Sequence, residues 1–217
     1  MPRYLVTLPL MEPVFLGGHP AMDFLNTVFS PHGEPVDVIS DGRSLVDWMV
    51  RADLLTESAA ARLKRRVSAD DLDAAASEAR SIRSWAHTWI ARWSREPLAD
   101  YRAEVRRLNA LLRRGALSRE IVPANGGLRF AESHRMETAD DLLAVIATQL
   151  ASLVTGEDPT LIKPCAGSGC TLWFLDRTKG HRRMFCSAAA CGNRAKVAAF
   201  RARQRPAELP PGRRSET

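Results

Sequence analysis

All four cysteines of this 217-residue chain fall in one C-terminal stretch: Cys165 and Cys170, then fifteen residues, then Cys186 and Cys191. Two close pairs with a hairpin's length of chain between them suit a tetrahedral metal ion. Cysteines a few residues apart span one edge of the tetrahedron, and the second pair closes it. Four thiolates select zinc and leave no open position, so the pattern predicts one structural Zn2+ and no hydrolytic metal site. Two disulfides would use the same residues but require an oxidising compartment. The apolar run near Met1 is broken by Pro9, Glu12 and Pro13 before a signal-peptide core can form, so zinc is the reading adopted. No apolar run approaches the roughly 20 residues needed to span a bilayer, and the expectation is a soluble cytoplasmic protein without a membrane partner.

Around the cysteines, Leu172–Asp176 reads as a strand, Lys179-Gly180 as a turn and Arg182–Phe185 as the returning strand. The alanine-rich residues from Ser187 onward then open a helix that Pro206 ends. Knuckle, hairpin and ligand-bearing helix make a treble-clef-like arrangement.

The run Cys186-Ser-Ala-Ala-Ala-Cys191-Gly-Asn-Arg-Ala-Lys196, preceded by Phe174-Leu-Asp176 and Arg182-Arg183, resembles the CGNR zinc finger, whose name stands here as Cys191-Gly192-Asn193-Arg194. Near the other end, Gly17-Gly18-His19-Pro-Ala-Met-Asp23-Phe24-Leu25-Asn26-Thr27 resembles the ABATE domain that accompanies this finger. Leu108–Leu112 is a weaker match, while Phe185, where the family has Trp, and Thr178, displaced from the family's position, depart from the pattern without touching a ligand. The resemblance implies a helical N-terminal domain, a four-cysteine zinc finger and membership of a family described as stress-induced transcription regulators.

Charge is divided unevenly. From Arg177 onward eleven Lys and Arg face Glu208 and Glu216, a local +9 that leaves −3 on the preceding 176 residues out of an overall +6. That asymmetry points to a polyanion as the partner of the finger, not of the whole chain. On the final helix, Arg194, Arg201 and Arg205 recur at spacings of seven and four and share a face, flanked by Lys196 and Arg203. The preceding stretch adds Arg177, Lys179, His181, Arg182 and Arg183. A basic helix beside a basic hairpin suits a phosphate backbone or a major groove. Arg194, directly after the knuckle, has an equal structural reading, bonding local carbonyls or Asp176, and Gly192 and Asn193 read as backbone devices supporting the metal.

Upstream, short extended pieces (Tyr4–Leu8, Val14–Leu16) surround the Gly17-Gly18 turn, and a helix starts near Pro20. Its Met22, Leu25 and Phe29 fall on one side, and His19, Asp23 and Asn26 on another. Those three polar residues either project into a pocket for a small polar effector or cap the helix and satisfy loop backbone. Ser44 is the expected cap of a helix through Leu55, and Ala59–Val67 forms another. From Ser68 the longest helix carries Trp85, Trp89 and Trp93 on one stripe, which reads as core, with a dimer seam as the alternative. A helix over Tyr101–Leu112, a small hairpin turning at Asn125-Gly126 and a helix through Leu142–Leu153 complete this part.

None of the five histidines sits in a metalloprotease motif, and no phosphate loop, nucleophile elbow or dinucleotide fingerprint is present, so an enzyme is not expected. The predicted fold is mainly α with small β elements: a helical N-terminal domain over 1–158, a treble-clef-like four-cysteine zinc finger over 159–205 and a disordered basic tail over 206–217. The predicted function is DNA-binding regulation of transcription. Double-stranded DNA is the expected partner, with a small-molecule effector and a homodimer setting two fingers on a palindromic site as further expectations. RNA binding, or protein interaction by the finger, is the alternative.

Overall fold

The computed structural model describes residues 14–30, 34–124 and 126–204. Tyr4–Leu8, Asn125, Arg205 and the tail over 206–217 therefore lie outside the described residues.

The molecule is built round one apolar helix. Among the described residues, the α-helices before the first cysteine pair are α1 (Pro20–Leu25), α2 (Gly42–Arg51), α3 (Glu57–Arg66), α4 (Ala69–Trp93), α5 (Arg102–Leu112) and the apolar α6 (Ala139–Gly156). On α6, Leu142, Leu143, Val145, Ile146, Leu150 and Leu153 are all buried, covered by α1, α4 and α5. Among the described residues α6 is the one helix long and apolar enough to cross a membrane, but its apolar face is taken up by the protein core. Helices that are apolar nearly all round are core helices when other helices surround them.

Side chains set the helix starts. Ser68 accepts from the Asp71 amide at 3.1 Å, and Thr56 from that of Ala59 at 3.2 Å. The cap of α2 is Asp41, not Ser44. Ser44 occupies the third helical position and completes a capping box, its hydroxyl accepting from the Asp41 amide at 2.9 Å. Two oxygens then satisfy two otherwise orphaned amides, which one cap cannot do. The Trp stripe is core. Trp89 is buried, Trp85 packs on it at 5.4 Å between ring centroids, Tyr101 at the start of α5 lies 6.4 Å from Trp89, and the Arg107 guanidinium of α5 is 4.6 Å from the Trp85 ring centre.

Phe29 leaves the α1 stripe because the helix ends at Leu25. It sits instead in β1 (Val28–Phe29), paired antiparallel with β2 (Val36–Asp37). Buried Arg83 of α4 clamps this pair, donating to Asp37 Oδ1 at 2.7 Å and to Thr27 Oγ1 at 2.8 Å. The predicted small hairpin is a longer ribbon, β3 (Leu117–Ala124) with β4 (Gly127–His134), in full register from Leu117 opposite His134 to Ala124 opposite Gly127.

One pairing differs from expectation. The strand after the first cysteine pair, β6 (Trp173–Leu175), does not pair with Arg182–Phe185 but with β5 (Ile162–Pro164), just before the first cysteine. The reason is burial. This register sets Ile162 opposite Leu175 and places both in the helical core, whereas Arg182–Phe185 retains one ladder-like bond, Ala166 N to Met184 O at 2.8 Å. A π-helical turn (Ala188–Gly192) then leads into α7 (Asn193–Gln204).

Candidate metal centre

The knuckle that carries Cys165 and Cys170 is closed by backbone bonds, Cys165 N to Leu172 O at 2.9 Å and Cys170 N to Gly167 O at 3.0 Å. Gly167 leaves little room here: a Cβ would sit 3.0 Å from both Cβ and Sγ of Cys191. The second pair comes from the start of the π turn, where the Ser187 hydroxyl caps the Ala190 amide at 3.2 Å. Gly192 is less constrained, since a Cβ there meets nothing nearer than 3.6 Å.

These elements bring the four Sγ atoms within 4.8 Å of one another. Cys170 to Cys186 is 3.8 Å and Cys186 to Cys191 is 3.6 Å. A tetrahedral zinc with bonds of about 2.3 Å has edges of about 3.8 Å, so the spacing fits the ion and is far beyond the roughly 2 Å of a disulfide. Amides already point at the sulfurs, Cys186 N at 3.2 Å and Gly167 N at 3.4 Å from Cys165 Sγ. Burial and then the neighbouring thiols push Cys170 up to about 11, and the same causes push Cys186 upward. Cys165 is lowered: burial opposes this, but the Cys186 and Gly167 amides overcome it. Sharing a divalent cation removes the cost of gathering these thiolates, and four sulfur donors in a closed shell make the site structural. The cysteines hold one structural zinc ion.

Arginines divide sharply around this centre. Arg194 donates to Cys191 Sγ at 3.0 Å, so it neutralises thiolate charge and does not reach Asp176. Arg183 turns inward. Its guanidinium bonds the carbonyls of Phe185 (3.0 Å), Leu16 (2.9 Å) and Cys186, and lies 4.2 Å from the centre of the Phe174 ring. Arg177 pairs with Glu157. By contrast Arg182, Lys196, Arg201 and Arg203 are exposed and have no hydrogen bond or ion pair among the described residues. Lys196 and Arg203 do not flank Arg194 and Arg201. At about 100° per residue they fall on the opposite side of α7, so cations stand on both sides, with exposed Val197 and Phe200 between.

Asp176 carries no expected role beyond its place in the motif, yet it organises the loop that follows. It is fully buried and accepts from Lys163 Nζ (2.8 Å), Thr178 Oγ1 (2.6 Å) and the amides of Thr178 (3.1 Å) and Arg183 (2.9 Å). Burial alone would raise its pKa; those partners reverse the sign and hold it well below the usual carboxylate range. Lys163 also donates to His181 O at 2.7 Å, so one ion pair fixes the whole loop from Asp176 to Arg183. The displaced Thr178 of the motif is the residue that closes the first turn of that loop.

The N-terminal motif packs directly on the finger. Gly18 has φ 74° and lies so close to Leu175 that a Cβ would be 3.0 Å from its carbonyl oxygen. Leu175 N donates to Gly17 O at 2.8 Å. Asn26 bonds Trp173 twice, donating to its carbonyl at 2.8 Å and accepting from its amide at 2.9 Å. His19 Nδ1 caps Ala21 N at 3.1 Å, and Asp23 Oδ1 accepts from Gly17 N at 2.7 Å. All three polar residues of the motif therefore have internal partners, while His19 Nε2 and Asp23 Oδ2 have none among the described residues.

The sequence profile of the ABATE family, described as "Putative stress-induced transcription regulator", matches residues 18–157, and that of the CGNR zinc finger matches 162–204. No curated protein matches the chain at a significant level. With the Gly17–Asn26 turn seated on a strand of a four-cysteine zinc finger, and with a profile match over well more than half its length, the chain belongs to the ABATE family and carries a CGNR zinc finger.

Proposed function

We propose that this chain is a cytoplasmic, non-enzymatic regulator of transcription whose finger, residues 159–205, binds double-stranded DNA while residues 1–158 receive a signal. The observation that carries this reading is the division of cations. Arg177, Arg183 and Arg194 are engaged by partners within the chain, whereas Arg182, Lys196, Arg201 and Arg203 face solvent without partners among the described residues. Cations on both sides of a helix none of whose described residues is buried suit insertion between two phosphate backbones, as in a major groove. A small-molecule effector has two supports, the free atoms of His19 and Asp23 and a cleft of about 550 Å³ between α4 and β6, lined in part by Ser84, His87 and Trp173.

The test is binding of the zinc-loaded full chain to random duplex DNA across a salt series, beside a variant with Lys196, Arg201 and Arg203 changed to Ala. The expected result is a steep loss of affinity with salt and a log–log slope shallower by about three in the variant, one for each phosphate no longer neutralised. Competition with duplex RNA in the same assay separates the two polymers. No binding at low salt, with one zinc per chain, overturns the reading and assigns the finger to protein interaction.

A further inference from the structure

The β3–β4 ribbon holds large apolar side chains in water: Leu117, Ile121, Leu128 and Phe130 are 53, 69, 77 and 63 % exposed. Strand alternation sets them on one face, where the register gives rows across the ribbon: Leu117 with His134, Arg119 with Glu132, Ile121 with Phe130 and Pro123 with Leu128. A lone two-stranded ribbon is marginal in water, and an exposed apolar patch of this kind marks an interaction surface. Two Arg and two Glu leave the ribbon neutral, which removes polyanions and strongly charged peptides from consideration.

We propose that this face docks a second copy of the chain, the two ribbons stacked face to face about a two-fold axis along their length. That axis sets β3 of one copy over β4 of the other. Ile121 then meets the partner's Phe130, Pro123 the partner's Leu128, and Arg119 the partner's Glu132, and each contact occurs twice, as an isologous interface requires. Charge complementarity selects a copy of the same chain. Three of the four rows pair residues that match one another, Ile121 with Phe130 and Pro123 with Leu128 apolar with apolar and Arg119 with Glu132 cation with anion, so this part of the face is complementary to itself under this rotation. The row of Leu117 with His134 lies at the root of the ribbon, where His134 bonds α6. The ribbon is rooted on α6 by Ala116 N to Asp141 Oδ1 at 3.4 Å and by His134 Nε2 to Thr148 Oγ1 at 3.1 Å, while the finger follows the opposite end of that helix. Docking through the ribbons therefore leaves both fingers free.

The inference goes beyond the nucleic-acid reading and is tested without nucleic acid. Sedimentation of the zinc-loaded full chain, over a concentration series up to the high micromolar range, is expected to show a monomer–dimer equilibrium. Changing Ile121 and Phe130 together to Ser is expected to weaken it about a hundredfold or more, because each side chain is buried twice. Arg119→Glu and Glu132→Arg each break the pair within a copy as well as between copies, so each alone is expected to weaken the dimer. An equimolar mixture of the two restores opposite charges between copies while both internal pairs stay broken, and it is expected to dimerise more tightly than either variant alone. Zinc content and helical circular dichroism establish that every variant is folded. A monomer at all concentrations, a dimer indifferent to the Ser pair, or a mixture no tighter than its components overturns the proposal.

Discussion

Arg183 shows how far a residue's type can mislead about its work. Beside Arg182 in the sequence it looks like half of a phosphate-binding pair, yet its guanidinium holds three carbonyls from two distant parts of the chain. Nothing in an Arg-Arg dipeptide says which side chain turns inward; the choice is made by the Phe174 ring and by carbonyls that fold into reach only with the rest. Arg183→Ala is expected to cost about 2–4 kcal/mol in chemical denaturation, since buried acceptors lose a charged donor, whereas Arg182→Ala is expected to change stability by less than about 0.5 kcal/mol. Arg83, equally invisible in the sequence, clamps Asp37 and Thr27. Removing it takes a charged donor from buried Thr27 and the ion-pair partner from Asp37, and Arg83→Ala is expected to destabilise by about 1–3 kcal/mol. Asp23 behaves oppositely. Burial raises its pKa from 3.8 to about 6, against the lowering effect of the Gly17 amide. Between those values the folded state holds a proton that the unfolded state releases, so stability falls as pH rises through that window. Asp23→Asn is expected to flatten that slope in thermal melts taken across the window, a difference of at most about 3 kcal/mol that solvent screening of the partly exposed carboxylate reduces.

Among the elements, the metal-binding loops are the most legible, because four cysteines at two fixed spacings leave few alternatives and Gly167 and Gly169 stand where the knuckle turns. The helices follow from period and capping, with the start of α2 displaced only as far as a capping box shifts it. Strand pairing is legible where a turn signal joins neighbours, as at Asn125-Gly126 between β3 and β4, but the pairing of β6 is not. Ile162-Lys163-Pro164 is three residues long and ends in proline, which carries no strand signal; it becomes a strand because the helical core has room for Ile162 beside Leu175. Short strands carry little local signal, and tertiary burial decides their partners. The knuckle yields a prediction at its own scale. Gly167→Ala forces a methyl against Cys191 Sγ and is expected to reduce zinc affinity at least about tenfold in competition with a chromophoric chelator, a loss in the range that disturbed ligand surroundings produce.

At the scale of the molecule, the two matched regions are not beads on a thread. Ile162 and Leu175 belong to the same core as α1, α4 and α6, and Asn26 and Gly17 complete the backbone bonding of β6. Zinc removal by a chelator under reducing conditions is therefore expected to lower the melting temperature of the entire chain in a single calorimetric transition, not to release a separately melting finger. Two resolved transitions, with the upper one indifferent to chelator, would show the finger to be an appendage.

The seat of Leu175 against Gly17 and Gly18 also bears on inheritance. A finger excised at Ile162 takes two buried aliphatic side chains out of the core and strands the side-chain amide of Asn26, and in exchange it exposes its own strand edge. Recombination that parts the two regions must therefore mend both cut faces at once, so the boundary between them is a poor place for exons or fusion junctions, and the pair is best passed on together.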